Sequence, residues 1–293
     1  MTESAAAGWR ALRRFVAWEA RVGAWASRRP ATAFLHEFVR FGVKQAWACL
    51  FGGVMLALLL ATHRWYPAGA ALSRYDFLTL SAVAVQAGML ATGLETRDEA
   101  KVILLFHVAG TAMALFKTAA GSWLYPEAAV LRIGGVPLFT GFMYAAVGSY
   151  QARVWRVFDL RFSAHPPVPA VLALGAAIYV NFFAHHFLPD VRAVLFVLSA
   201  LLFGRSWVYF RVWRTDRRMP LLLGFVLVTL FIWFAENIGT FARAWSYPHQ
   251  LGKAWVPVGT GKIGAWYLLM IVSYALVSIV NRPREIRAPL TFP

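Results

Sequence analysis

The chain has little charge and almost no cysteine. Of its 293 residues, 14% are Asp, Glu, Lys or Arg, and a single cysteine is present. A soluble domain carries about 25% charged residues. No long stretch here mixes polar and apolar residues as a soluble fold requires. The lone Cys49, inside an apolar run, can form no intramolecular disulfide and no CxxC metal or redox pair. It reads as a small packing residue. The first 35 residues lack the continuous apolar core of a cleavable signal peptide, so insertion into a membrane is expected to fall to the mature helices.

Many chemistries lack their motifs too. There is no GxxxxGK[ST] phosphate loop, no HExxH zinc motif, no spaced set of His boxes and no Ser-His-Asp hydrolase signature. Gly134-Gly135 is too little for a dinucleotide loop, and His185-His186 alone too little for a metal site. No metal and no cofactor is expected, and ATP-driven work would need a partner.

What the chain has in abundance is apolar surface. Hydrophobic residues make up 60% of it, and the mean hydropathy is +0.58. A spanning helix needs about 20 mostly apolar residues. Eight runs qualify, near 43–62, 76–94, 99–120, 135–155, 168–186, 190–209, 219–240 and 262–281. Proline punctuates most of the breaks, at Pro67, Pro126, Pro166-Pro167, Pro189 and Pro248, because it removes a backbone donor and ends helices. The fold class expected is an all-α integral membrane protein of eight transmembrane helices with no extramembrane domain.

The net charge of +16 would suggest nucleic acid in a soluble protein. Here the basic residues sit in short tracts between apolar runs, which points to anionic lipid headgroups and to topology control instead. With the N-terminus inside, the inner segments hold eight, two, three, five and three Lys and Arg residues, 21 of the 29. That bias places both termini in the cytoplasm of a bacterium and the chain in its cytoplasmic (inner) membrane. Trp47, Trp65, Trp123, Trp155, Trp207, Trp245 and Trp255 fall near span ends, where an indole keeps its N–H wet. Residues 8–26 place Arg10, Arg13, Arg14 and Arg21 on one helical face and Leu12, Phe15, Val16 and Val22 on the other, the pattern of an interfacial helix.

The chain also resembles itself. Residues 118–126 end in Trp123-Leu-Tyr-Pro126, and residues 240–248 end in Trp245-Ser-Tyr-Pro248, an offset of 122. The same offset carries His63 onto His185 and Pro67 onto Pro189. Spans one to four would then repeat as five to eight. Four is even, so the halves are parallel, related by an axis along the membrane normal. The organisation expected is a basic amphipathic segment over 1–40, halves over 41–157 and 158–283, and a tail over 284–293.

A charge near the bilayer centre costs at least about 2.5–3.5 kcal/mol, so its presence needs a reason. Glu236, followed by Asn237, lies in the seventh span. Lys117, His63, His185 and His186 end other spans, Trp123, Tyr125, Trp245 and Tyr247 stand in the loops, and His107 lies deeper. Together they are candidates to line a cavity with Glu236 at its floor, binding a small-molecule ligand or a proton. The bland alternative is that Glu236 pairs with Lys117 or Arg243 and only sets helix register. A second group, Glu95, Asp98, Glu99 and Lys101 facing Arg205, Arg211 and Arg214, is expected to be a solvated ion-pair network.

Several stretches carry a resemblance: Phe41-Gly-Val-Lys-Gln-Ala-Trp-Ala-Cys-Leu50, Thr92-Gly-Leu-Glu-Thr-Arg-Asp-Glu-Ala-Lys-Val-Ile-Leu-Leu-Phe-His107, Gly134-Gly-Val-Pro-Leu-Phe-Thr-Gly-Phe-Met-Tyr-Ala-Ala-Val-Gly-Ser-Tyr150 and Ile232-Trp-Phe-Ala-Glu-Asn-Ile-Gly-Thr240. Over nearly all of the chain after residue 33, the sequence resembles a bacterial integral-membrane family known as domain of unknown function 817, the YoaT-like proteins. The resemblance implies a multi-pass membrane protein and brings no particular activity. More faintly, an acid, then Gly-Thr, then Trp-x-Tyr-Pro looks like membrane carotenoid cyclases and hydratases. Those enzymes protonate a polyene with intramembrane acids, but the paired Glu-Glu that cyclases place after their proline is missing here. The leading functional expectation is a small-solute or proton-coupled transporter with Glu236 as the protonation site. The alternatives are a membrane enzyme acting on a lipid or isoprenoid by acid–base chemistry, and a non-catalytic scaffold. The sequence leaves the oligomeric state open.

Overall fold

A computed structural model describes residues 17–18 and 21–286. Helices dominate. Helix α1 spans Pro30–Ala48 and α2 Leu50–Trp65; α3 spans Arg74–Ala91, α4 Arg97–Ala119 and α5 Phe139–Val157. They are followed by α6 Val168–Ala184, α7 Arg192–Phe203, α8 Leu221–Phe241 and α9 Ile263–Val280. Successive helices run up and down, so the end carrying Lys117, Arg192 and Lys262 lies opposite the end carrying Arg97, Val157 and Leu221.

Among the described residues three helices are long and apolar enough to cross a membrane: α4, α8, and α9 with the turn before it. A fourth span follows if α1 and α2, bent by 69° at Cys49, count as one. Helices α6 and α7 are apolar but shorter. The chain is therefore a helical membrane protein. The expected first span, 43–62, straddles the bend. The expected sixth, 190–209, stops at Phe203, because the chain turns into a strand at Trp207.

The bend follows the chemistry of α1. Phe34, Leu35, Phe38, Val39, Val43 and Trp47 form one exposed apolar face. The opposite face grips the protein: Lys44 Nζ donates to Val157 O and Arg211 O at 3.0 and 2.9 Å, and Arg217 Nε donates to Glu37 at 3.1 Å. One apolar and one polar, protein-gripping face make this an amphipathic helix. The amphipathic segment expected at 8–26 lies mostly outside the described residues.

Helix α5 is the centre of the bundle, packing on α1, α2, α3, α4 and α9. Glycines let α4 and α5 approach closely. A Cβ at Gly110 would collide with the ring of Tyr144, and one at Gly148 with the ring of Phe106.

The all-α expectation misses two small sheets. Strands β1 (Arg132–Ile133) and β2 (Val136–Pro137) form a hairpin. Its turn is Gly134-Gly135, both at positive φ, as a two-residue hairpin turn of the primed type demands. Strands β3 (Arg161–Ser163), β4 (Trp207–Arg211) and β5 (Asp216–Pro220) make an antiparallel sheet in that order at the Val157 end of the bundle. Val208, Tyr209 and Phe210 favour strand, and Ser206 anchors the entry by donating to Ala164 O at 2.9 Å. Asp216 accepts from Arg161 and Arg211, each at 2.8 Å.

The acidic cluster at 95–101 also finds other partners than expected. Glu95 pairs with Arg153 at 2.9 Å, both side chains fully buried, and accepts from Ser149 at 2.9 Å and from Gln86. Glu99 closes a capping box with Thr96 and pairs with Arg156 at 2.9 Å. Arg211 goes to Asp216, and Arg214 donates to Ser27 at 2.9 Å. The reason is register: Ser149, Arg153 and Arg156 lie three to four residues apart on one face of α5, directly beside the turn before α4.

Breaking a buried pair leaves an uncompensated charge and costs about 3–5 kcal/mol. Glu95→Ala should therefore lower the unfolding midpoint in detergent sharply, whereas an unchanged midpoint would mean that the pair is wet. In the sheet, Arg211 and Arg161 hold the Asp216 carboxyl below its ordinary value of 3.8. Its folded value lies under its unfolded one, so its contribution is complete above that pH and is lost as pH falls below it. Amide exchange in β4 and β5 should quicken below that point, and Asp216→Asn should abolish the step.

Candidate functional site

The site begins with two loops. After α4 the chain reads Trp123-Leu124-Tyr125, and after α8 it reads Trp245-Ser246-Tyr247. Leu124 and Ser246 form an antiparallel bridge, with N–H to O distances of 3.0 and 2.9 Å in the two directions. Each loop leaves its helix through a residue at positive φ, Gly121 at 71° and Arg243 at 51°. The residue pairs 121 and 243, 124 and 246 all stand 122 positions apart. Because side chains alternate along an extended chain, Trp123, Tyr125, Trp245 and Tyr247 point the same way, toward the helices.

Below them Glu236 is buried in α8. Its Oε1 accepts from the Tyr247 hydroxyl at 2.6 Å and from Trp245 Nε1 at 2.9 Å. Its Oε2 accepts nothing from any described residue. Burial, and the carboxylate beside it, push the Tyr247 phenol well above its ordinary value, so this hydroxyl stays a donor. Gly239, one turn along α8, makes room for the Trp245 ring, which a Cβ there would strike. Neither Lys117 nor Arg243 forms an ion pair with Glu236, so the register-setting pair is absent.

Glu236 opens on an apolar cavity of about 490 Å³ between α2, α4, α5, α8 and α9. Val228, Phe231, Ile232, Ala235 and Glu236, spaced as one face of α8, form one wall. Thr140 and Tyr150 both line it; ten residues apart, they span about 15 Å of α5. At the far end stand Cys49 and Gln45, which accepts from the Tyr150 hydroxyl at 3.0 Å. Phe231, 69% exposed, both lines the cavity and faces the outer, apolar surface of the bundle.

A second cavity, of about 500 Å³, adjoins the first. The two share Met113, Trp123, Tyr144, Tyr247, Trp266 and Leu269 as walls. Its walls are mainly apolar too, but four basic side chains, Lys117, His185, Arg192 and Lys262, also line it. Lys117 Nζ donates to His186 Nε2 at 2.9 Å and to His185 Nε2 at 3.4 Å. His185 Nδ1 lies 2.8 Å from Asn181 O, so it carries the ring proton and leaves Nε2 to accept.

The sequence candidates thus divide. Glu236, Trp123, Tyr125, Trp245 and Tyr247 meet at the first cavity, and Lys117 and His185, with His186 behind them, at the second. Three stand apart. Asn237 turns away to accept from Val258 N at 2.8 Å and holds the loop before α9. His107 packs on Phe142 between α4 and α5, and His63 is exposed against Phe241. Sequence reasoning missed Tyr144, Trp266, Arg192 and Lys262. The two bases were visible only as span-flanking charges, and nothing local marked them as neighbours of Lys117. Among the described residues no three His, Cys, Asp or Glu side chains converge as metal ligands would.

The model of the family described as protein of unknown function DUF817 matches residues 37–274, and the chain belongs to that family. A curated relative, the uncharacterized protein YoaT of Bacillus subtilis (strain 168), is 46% identical over 251 residues, covering 86% of this chain and 94% of the relative. Among solved structures, a mycobacterial Insig homolog, MvINS from Mycobacterium vanbaalenii, superposes with a TM-score of 0.45 at 16% identity. It covers 65% of this chain and 98% of its own.

Tyr247 and Trp245 donate to one oxygen. Tyr247→Phe and Trp245→Phe should each cost about 0.5–1.5 kcal/mol, the net value of an ordinary hydrogen bond, and the double mutant should depart from additivity. Strict additivity in a double-mutant cycle of unfolding midpoints would show that the two donors act independently.

Proposed function

We propose that this protein binds a lipid-like molecule, of isoprenoid type, within the membrane and acts on its polar or unsaturated end with Glu236 as an acid–base group. The observation that carries the reading is the long apolar cavity, lined in part by the exposed Phe231, with one carboxyl oxygen left free inside it; the ligand enters beside Phe231. Tyr247 and Trp245 hold Oε1, which orients the carboxyl and leaves Oε2 to meet a ligand. A buried, dry acid of this kind is suited to proton transfer. In the same reading α2 to α9 form eight membrane-embedded helices in two halves of four related by the 122-residue offset. The sheet end, rich in Arg, lies in the cytoplasm of a bacterial inner membrane.

A second reading, a proton-coupled or small-solute transporter, draws on one observation. The two cavities lie side by side, separated by shared aromatic walls at Trp123, Tyr144, Tyr247 and Trp266, as compartments on a gated path would.

Mass spectrometry of the protein purified in mild detergent distinguishes them. An isoprenoid held near one-to-one by the wild type, and lost or chemically altered in Glu236→Gln, is the expected result. Empty protein, together with proton-coupled uptake into liposomes that the same variant abolishes, would replace this reading with transport.

A further inference from the structure

The second cavity carries a charge imbalance. Lys117 is 93% buried, with 7% relative exposure, yet its partners are two imidazoles and the face of Phe182. Lys262 is half-buried with its ammonium over the Tyr247 ring at 4.3 Å, and no carboxylate reaches it. Arg192 pairs with Asp190 at the rim. Three cations therefore line one cavity, and the acids near them are Asp190 at the rim and Glu236 beyond the Tyr247 ring. Glu236 attracts Lys262 through space but forms no ion pair with it, and takes its hydrogen bonds from Tyr247 and Trp245. An ammonium buried without a carboxylate partner is costly.

Oxygen anions are the ligands such a site fits. Two ammonium groups and a guanidinium supply donors in several directions, and a tetrahedral phosphate accepts on all sides. The neighbouring cavity is apolar and shares its wall. We propose that the basic cavity holds the phosphate head of a lipid whose chain lies in the apolar cavity, with Lys117 and Lys262 as its main ligands and Arg192 at the entrance. The proposal rests on the reading of the apolar cavity given above and names its substrate class: a phosphorylated, isoprenoid-like amphiphile. The head then lies on one side of Tyr247 and the chain passes Glu236 on the other.

The test uses full-length protein in detergent and three probes: geranylgeranyl monophosphate, geranylgeraniol and inorganic phosphate. The ester is expected to bind at least about tenfold more tightly than the alcohol, the value of one charge-assisted hydrogen bond. Lys117→Gln and Lys262→Gln should each remove most of that advantage and leave the alcohol's affinity unchanged. Lys117→Arg should retain it, which separates lost charge from lost folding. Equal binding of ester and alcohol overturns the anion site and leaves the apolar reading standing. Inorganic phosphate bound as tightly as the ester, with the lysines required, overturns the lipid source. In that case alcohol that fails to bind at all overturns the apolar reading as well.

Discussion

A polar group buried among apolar helices is costly when it is left unpaired, and the charged groups buried in this molecule are arranged around that cost. Arg153 is answered by Glu95, and Arg74 by Glu127, Thr62 and a carbonyl of Ala242. Asp76 accepts the N–H groups of Val130 and Leu131, which ties the hairpin loop to the start of α3. These satisfied groups fasten helices and loops together. Other buried atoms have no partner among the described residues, His107 Nδ1, Gln151 Oε1 and Trp266 Nε1 among them. What distinguishes the candidate site is charge: Lys117 meets imidazoles and Lys262 an aromatic face, where Arg153 and Arg74 meet carboxylates.

Much of this was legible from the sequence. Hydropathy located most of the helices, although only three of them, or four with the bent pair, are long and apolar enough to cross a membrane. Glu236 was legible because a lone acid in an apolar run is costly. The Trp-x-Tyr-Pro loops were legible because they recur, and the structure lays one against the other at Leu124 and Ser246. What escaped were features decided by tertiary contacts. A hydropathy run does not reveal a bend at Cys49, since both sides of it are apolar. The run from 190 to 209 concealed a switch from helix to strand, because Val208, Tyr209 and Phe210 are as hydrophobic in one as in the other. Lys262 and Lys117 are 145 residues apart in sequence, and their convergence depends on the fold alone.

The wall between the two cavities gives the site its polarity. Tyr247 belongs to both: its hydroxyl holds the carboxyl and its ring carries the ammonium of Lys262. An acid and a base thus share one aromatic residue without touching each other. Direct contact would have produced a salt bridge and neutralised both. Interposing the ring keeps the carboxyl available to an apolar ligand and the ammonium available to an anion.

The proposed entry beside Phe231 has a consequence for how strongly anything is bound. A ligand that enters from an apolar helix face arrives from a two-dimensional reservoir, already stripped of water by partitioning into the bilayer. Its effective concentration is its mole fraction among the lipids, not its amount in solution. Occupancy would then rise and fall with membrane composition, and a sparingly soluble compound could fill the cavity while its aqueous concentration stays negligible.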